Sequence, residues 1–169
     1  MPFGKGIDSM RYGVVGFVIF ALGSVAALAP SSAAATVRIV RDVGGQIGPY
    51  LETLVALRTS GEKVIIDGPC LSACTMILGV IPRDRICMTR RARLGFHAAW
   101  HPAGNGQHVV SQGGTQLLMD IYPPNVRSWI ASKGGLNEQM LYLYGRELAS
   151  MYPTCQPTST AFPAQRRNR

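Results

Sequence analysis

The feature that most restricts the fold is an alternation of strand and helix patterns between Thr36 and Ala99. The run "TVRIVRDVG" predicts a strand that ends at two glycines, and "GPYLETLVALRTSG" predicts a helix that stops at Gly61. The continuous apolar run in "EKVIIDG" is typical of a buried parallel strand. A helix from Ser72 and two short strands in "RICMTRRARLGFHAA" follow. This order favours an α/β fold with right-handed crossovers.

The second half of the chain has a different pattern. The segment "HPAGNGQHVVSQGG" is rich in glycine and polar residues, which predicts a loop. Helices are predicted in "TQLLMDIY", in "PPNVRSWIASKGG" with proline in its first turn, and in "NEQMLYLYGRELASMY". We therefore expect a helical C-terminal part, with apolar surface through which the chain could form a homo-oligomer.

The N-terminal segment has the pattern of a secretory signal peptide. Lys5 and Arg11 precede a long uncharged stretch, and small residues follow it. We expect residues 1–35 to be a signal peptide, cleaved after Ala35, so that the protein is periplasmic or secreted. The alternative is an inner-membrane anchor formed by residues 12–30.

The chain is basic, with a formal charge of +8. Without residues 1–35, 15 basic and 8 acidic residues remain, which gives +7. An exported protein rarely meets nucleic acid, so no nucleic-acid partner is predicted. Residues 36–154 are predicted to form one domain, and residues 155–169, rich in proline, serine, threonine and arginine, a disordered basic tail.

Four cysteines in an exported chain predict two disulfides, drawn from Cys70, Cys74, Cys87 and Cys155. Three pairings are open. A Cys70–Cys74 bridge is the least favourable if a helix begins near Ser72, because it would constrain little; Cys74 with Cys87 on a neighbouring strand is an attractive alternative. The cysteine spacing matches no zinc pattern, so no metal is predicted.

Three features are predicted to meet at the carboxyl ends of the strands, where α/β folds gather functional groups. They are the pair Gly44 and Gly45, the hydroxyl of Ser72 at a helix start, and the imidazole of His97. Each has an ordinary structural interpretation: a glycine turn, a helix N-cap and a half-buried ring. The alternative is a nucleophile, a base and backbone amides that stabilise an oxyanion.

The run from the glycine pair to His97 resembles the Clp protease proteolytic subunit and its crotonase-like superfamily, in a branch of small exported proteins. Gly45 precedes Ser72 by 27 residues and Ser72 precedes His97 by 25 residues, similar to the family arrangement. The resemblance implies βαβ units with a central, mostly parallel sheet and C-terminal helices. It also implies that Ser72 is the nucleophile, His97 the general base, and the amides of Gly45 and Ala73 the oxyanion hole, with no cofactor.

The sequence leaves three possibilities for the third member of a catalytic triad. Glu138 lies nearest to the family's position for an aspartate, and Asp120 is the alternative; the third possibility is that the triad has no carboxylate.

The resemblance predicts a serine hydrolase or peptidase that acts on peptides or proteins. The alternative is a catalytically inactive module for binding or assembly. Because there is no ATP outside the inner membrane, no ATPase partner is implied.

Overall fold

The computed structural model describes residues 35–104 and 106–156. The predicted leader, except Ala35, and the alternative anchor at 12–30 lie outside the described residues, as does the predicted tail beyond Gln156.

The described part contains eight strands and five α-helices. The strands are β1 Thr36–Ile39, β2 Lys63–Ile66, β3 Pro69–Leu71, β4 Ile86–Met88, β5 Arg93–Phe96, β6 Trp100–Pro102, β7 His108–Val110 and β8 Leu141–Tyr144. The α-helices are α1 Ile47–Ser60, α2 Ile77–Val80, α3 Gln112–Ile121, α4 Pro124–Ser132 and α5 Gly145–Met151. Two 3₁₀ helices, Ser72–Met76 and Arg83–Arg85, complete the elements.

The fold is mixed α/β, but its strands are divided over small sheets. One sheet has the order β1-β2-β4 and is parallel throughout. The second has the order β3-β5-β8, in which β3 and β5 are parallel and β8 is antiparallel to β5. Strands β6 and β7 form a separate antiparallel hairpin. The described strands thus form two three-stranded sheets and a hairpin, and the central, mostly parallel sheet stays a prediction.

The two sheets follow one another along the same stretches of chain. Strand β2 leads into β3, β4 leads into β5, and β1 is followed by Asp42, which forms a parallel bridge with Cys70 of β3. At the bend between β2 and β3, a Cβ on Gly68 would lie 2.0 Å from the carbonyl oxygen of Val40. Only glycine allows two backbone segments to approach this closely, so Gly68 permits the bend.

The described strands and helices share one apolar core. Phe96 of β5 is fully buried, and its ring packs edge-on against Tyr122 and beside Trp129, with centroid distances of 5.3 and 5.6 Å. Other fully buried large side chains are Tyr152, Ile66, Met76, Ile77, Ile86, Leu94, Ile130 and Leu143. This core fixes the ends of β3 and β5, where the functional groups are predicted.

Two segments differ from the sequence prediction. The predicted loop after Ala99 contains the hairpin of β6 and β7. The predicted last helix begins instead with β8, in which Leu143 is buried while Tyr142 and Tyr144 are exposed. The Leu-Tyr alternation has the period of a strand, and α5 starts only at Gly145, whose φ is 60°.

The disulfides join Cys70 to Cys74 and Cys87 to Cys155. The expectation that Cys70–Cys74 is the least favourable pair was wrong, as was the suggested partnership of Cys74 with Cys87. Cys70 lies in β3 rather than in a helix, and the chain turns sharply before Cys74, so the two Cα atoms are 5.3 Å apart. This bridge therefore closes a turn, not a helix.

The Cys87–Cys155 bridge ties the end of the described chain to β4, where Met88 and Thr154 also form a parallel bridge. Within the described residues, no helix combines the length and the hydropathy needed to cross a bilayer.

Candidate active site

Ser72 lies at a sharp turn between β3 and the 3₁₀ helix that follows. Its φ is 55°, and among the described residues it is the one non-glycine with a positive φ. The helix is preceded by Leu71, and no side chain caps it. The Ser72 hydroxyl therefore does not act as the predicted helix cap and is available for another partner.

The turn is held in place by its neighbours on both sides. The Cys70–Cys74 disulfide spans it, and both cysteines are fully buried. The Thr75 hydroxyl donates to the carbonyl oxygen of Ser72 at 2.7 Å, and its oxygen also lies 2.7 Å from the Tyr122 hydroxyl. Burial raises the pKa of Tyr122 to about 12, so the phenol remains protonated. Because Thr75 donates its hydroxyl proton to the Ser72 carbonyl, it accepts a hydrogen bond from the Tyr122 hydroxyl.

The imidazole of His97 faces the Ser72 hydroxyl. His97 Nε2 lies 2.8 Å from Ser72 Oγ, and both residues are half-buried. The other ring nitrogen, Nδ1, lies 2.7 Å from the carbonyl oxygen of Ala98. Because a carbonyl can only accept, a neutral ring places its proton on Nδ1 and leaves the Nε2 lone pair toward Ser72. This is the tautomer that a general base needs.

The segment that carries His97 is anchored by backbone groups of other elements. The Ala98 amide donates to the carbonyl of Asn137 at 2.7 Å, and the Ala99 amide donates to the Thr115 hydroxyl at 3.0 Å. The Ala99 carbonyl accepts from the Ser111 amide at 2.7 Å. The peptide that orients His97 is therefore itself fixed.

Neither carboxylate considered from the sequence hydrogen-bonds His97. Glu138 is exposed and adjoins Asn137, whose carbonyl holds Ala98. Asp120 lies on α3, where it accepts a hydrogen bond from Gln116 at 2.8 Å. The position that a triad carboxylate would take at Nδ1 is occupied by the Ala98 carbonyl. A neutral acceptor orients the ring but adds no charge to stabilise an imidazolium.

The glycine pair lies beside the turn that bears Ser72. Gly44 has a φ of 81°, and a Cβ on it would lie 2.6 Å from the carbonyl oxygen of Leu71 and 2.7 Å from the amide nitrogen of Ala73. Gly45 and Ala73 both line the same cavity as Ser72 and His97. The structure thus brings together the four groups predicted from separate parts of the sequence.

Neither of the two predicted amide donors has a hydrogen-bond partner in the part of the chain that the structure describes. The amide of Ala73 belongs to the first turn of its 3₁₀ helix, where no carbonyl of the helix precedes it. The amide of Gly45 donates to no group among residues 35–104 and 106–156, whereas the Gly44 amide is bound by Asp42. Of the two glycine amides, the Gly44 amide therefore has a partner, and the Gly45 amide has none in this part of the chain.

The cavity has a volume of about 990 Å³. Much of its wall is apolar, and the apolar residues include Ile47, Leu71, Leu118 and Met140. The β6–β7 hairpin adds Trp100, whose ring stacks on His108 at 3.6 Å with an angle of 13° between the planes. The space is sufficient for an acyl group or a short peptide segment. Within the described chain, no three His, Cys, Asp or Glu side chains are grouped as metal ligands.

Sequence reasoning missed several groups at this site. The contribution of the hairpin was signalled by the Asn-Gly pair at 105–106, a frequent hairpin turn. The acceptor for His97 is a main-chain carbonyl, and backbone groups have no sequence signature. The roles of Asp42 and Tyr50 beside the glycine pair had no signal either, because their meeting depends on how α1 packs.

The chain was compared with known proteins at three levels. No protein-family model matches it, and the search of curated proteins found no match. Among solved structures, a point mutant of ClpP1 from Listeria monocytogenes is similar, with 15% identity, a TM-score of 0.41, and coverage of 68% of this chain and 67% of that chain. At this TM-score the similarity transfers neither an activity nor a substrate to this chain.

Proposed function

We propose that this protein is an exported serine hydrolase, resembling Clp peptidases, that cleaves ester or peptide bonds through Ser72 and His97. The observation that carries the proposal is the 2.8 Å contact between His97 Nε2 and Ser72 Oγ, together with the Nδ1 contact that favours the required tautomer. Two disulfides support an oxidising compartment, because such bonds are rare in the cytosol.

The reaction follows from these atoms. His97 Nε2 accepts the proton of Ser72 as Oγ forms a bond to the substrate carbonyl carbon, and the carbonyl oxygen becomes an oxyanion. The amides of Gly45 and Ala73 donate to this oxyanion, and each such donor is typically worth about 3–4 kcal/mol in the transition state. Collapse breaks the bond to the leaving group, which takes the proton from Nε2. Water then hydrolyses the acyl-enzyme by the same steps.

The neutral partner of His97 determines the expected rate. Removing the serine or the histidine of a full triad costs about 10⁶ in turnover, and loss of the carboxylate alone costs about 10⁴. A serine and histidine without a carboxylate should therefore retain about 10² over the background. The same observation favours the second candidate, an inactive module that binds peptides in the cavity or assembles with itself.

Hydrolysis of p-nitrophenyl acetate tests the proposal. Wild type should exceed Ser72→Ala by about 10²-fold, for the reason just given, and His97→Gln should fall to the rate of Ser72→Ala. Ser128→Ala is the matched control, because Ser128 is exposed on α4 and does not line the cavity. If wild type and Ser72→Ala hydrolyse the ester equally, the hydrolase is rejected and the binding module is favoured.

A further inference from the structure

Asp42 lies between β1 and the glycine pair and forms a parallel bridge with Cys70 of β3, the strand that precedes Ser72. We propose that Asp42 is a positioning residue for the oxyanion hole, held in place by Tyr50. The inference rests on the proposed hydrolase function. It concerns how the Gly45 amide is aimed, rather than any contact of Asp42 with substrate.

The side chain of Asp42 fixes the glycine pair. Its Oδ1 accepts a hydrogen bond from the Gly44 amide at 2.8 Å. This bond restrains Gly44 at its φ of 81°, and the following peptide, which carries the Gly45 amide, takes its direction from the Gly44 dihedral angles. With the Gly44 amide occupied, the Gly45 amide is the one left to bind an oxyanion.

The backbone of Asp42 is tied to the strand that leads to Ser72. Its amide donates to the carbonyl of Pro69 at 2.8 Å, and its carbonyl accepts from the Leu71 amide at 2.9 Å. Leu71 directly precedes the nucleophile. The same residue thus links the glycine pair to the Ser72 turn, which fixes the distance between the two predicted oxyanion donors.

Tyr50 of α1 holds the second carboxylate oxygen. Its hydroxyl donates to Asp42 Oδ2. Burial, and then the hydrogen bond to Asp42, raise the pKa of the Tyr50 phenol above its usual value, so the phenol stays protonated and remains a donor. The two carboxylate oxygens therefore have different partners. Rotation of the Asp42 carboxylate would break at least one of these two hydrogen bonds.

Reaction with a fluorophosphonate probe, measured as a second-order rate constant at Ser72, tests the inference. Asp42→Ala should react about tenfold more slowly, because small displacements of a stabilising group cost this much or more. Asp42→Asn keeps an oxygen for the Gly44 amide and should restore the rate to within about threefold of wild type. The rate constant of Tyr50→Phe should lie between those of Asp42→Ala and Asp42→Asn, since this substitution removes only the hydroxyl.

The kinetic parameters separate positioning from a general structural effect. With p-nitrophenyl acetate, Asp42→Ala should lower kcat and leave KM nearly unchanged, because the bound substrate has no oxyanion and the charge develops only during the reaction. Asp84→Ala and Tyr144→Phe are matched controls at exposed positions outside the cavity and should equal wild type. If Asp42→Ala does not fold, Tyr50→Phe decides, since it removes a single oxygen atom.

The outcomes distinguish the inference from the function on which it rests. If wild type reacts at Ser72 and both Asp42→Ala and Tyr50→Phe react within twofold of it, the positioning role is overturned while the hydrolase stands. If Asp42→Asn is as slow as Asp42→Ala, the acceptor role toward Gly44 is overturned. If wild type itself does not react, the hydrolase is overturned, and the positioning role falls with it.

Discussion

Ser72 adopts a backbone conformation that its own side chain disfavours. Left-handed φ values bring Cβ close to backbone atoms, at a cost of roughly 1–2 kcal/mol for residues other than glycine. At a φ of 55°, Ser72 bears this cost, and the disulfide and Thr75 hold it there. In this conformation the Ser72 hydroxyl oxygen lies 2.8 Å from His97 Nε2.

This strain can be measured by two substitutions at one position. Ser72→Gly removes the Cβ and Ser72→Ala keeps it, while both remove the hydroxyl. The free energy of unfolding of Ser72→Gly should exceed that of Ser72→Ala by about 1 kcal/mol, as measured by urea unfolding under non-reducing conditions. Equal stability of the two variants would show that the turn stores no strain at Ser72.

At the residue scale, the sequence identified the groups that have a chemical signature. Ser72, His97 and the glycine pair each ended or followed a predicted strand, and parallel pairing of β3 with β5 brought the serine and the histidine together. The orienting group for His97 was sought among carboxylates, yet it is the carbonyl of Ala98. A main-chain atom is present at every position, so no residue pattern could reveal it.

At the element scale, the site depends on the turn after β3 and on the parallel bridge between Asp42, which follows β1, and Cys70 of β3. The Cys70–Cys74 bridge, with a sequence separation of 4, constrains the turn locally, whereas Cys87–Cys155, with a separation of 68, connects distant elements. In the chain-entropy account, the stabilisation grows with the logarithm of the loop length, to roughly 2 and roughly 4 kcal/mol respectively.

Removal of the two bridges should therefore rank differently by its two effects: one bridge should matter more for stability and the other for the reactivity of Ser72. Cys87→Ala with Cys155→Ala should lower the free energy of unfolding by the larger amount, because it opens the longer loop. Cys70→Ala with Cys74→Ala should slow the reaction of Ser72 with the fluorophosphonate more, because it frees the turn. Urea unfolding and labelling rates of the two double variants provide the check. Faster labelling of the Cys70 and Cys74 variant would contradict the role assigned to the bridge.

The sequence predicts helices and strands best where the apolar residues follow one clear period, helical or strand-like. Helix α1 ends at Ser60 with Gly61 as its cap, as the sequence indicated. The predicted helix in "NEQMLYLYGRELASMY" is wrong over "LYLY", whose alternation fits β8 and whose pairing with β5 buries Leu143. The Cys70–Cys74 pairing was misjudged because the left-handed turn at Ser72 depends on tertiary packing.

At the scale of the whole molecule, Asp67 lies at the bend between β2 and β3 and links β1 to the segment between β4 and β5. Its carboxylate accepts hydrogen bonds from Arg38 of β1 at 2.6 Å, and from Thr89 at 2.6 Å and Arg91 at 3.0 Å, which follow β4. The hydrogen bond from Arg91, then those from Thr89 and Arg38, hold the pKa of Asp67 well below its usual value of 3.8. The side chain is only 3% exposed, so it is well placed to act as a fixed link.

This link predicts a loss of stability in acid. Because the pKa of Asp67 is lower in the folded than in the unfolded state, its contribution is complete above about 3.8 and is lost as the pH falls toward the folded value. Between pH 6 and pH 3, the free energy of unfolding should fall more steeply for wild type than for Asp67→Asn. Parallel profiles would show that Asp67 does not provide this dependence.

The central claim is that His97 and two backbone amides make Ser72 a nucleophile. Labelling of the folded protein with a fluorophosphonate, followed by peptide mapping with mass spectrometry, tests it most directly. The account predicts one adduct, on Ser72, that disappears in His97→Gln and after denaturation. An unmodified Ser72 in the folded wild type, or equal labelling in His97→Gln, would contradict it.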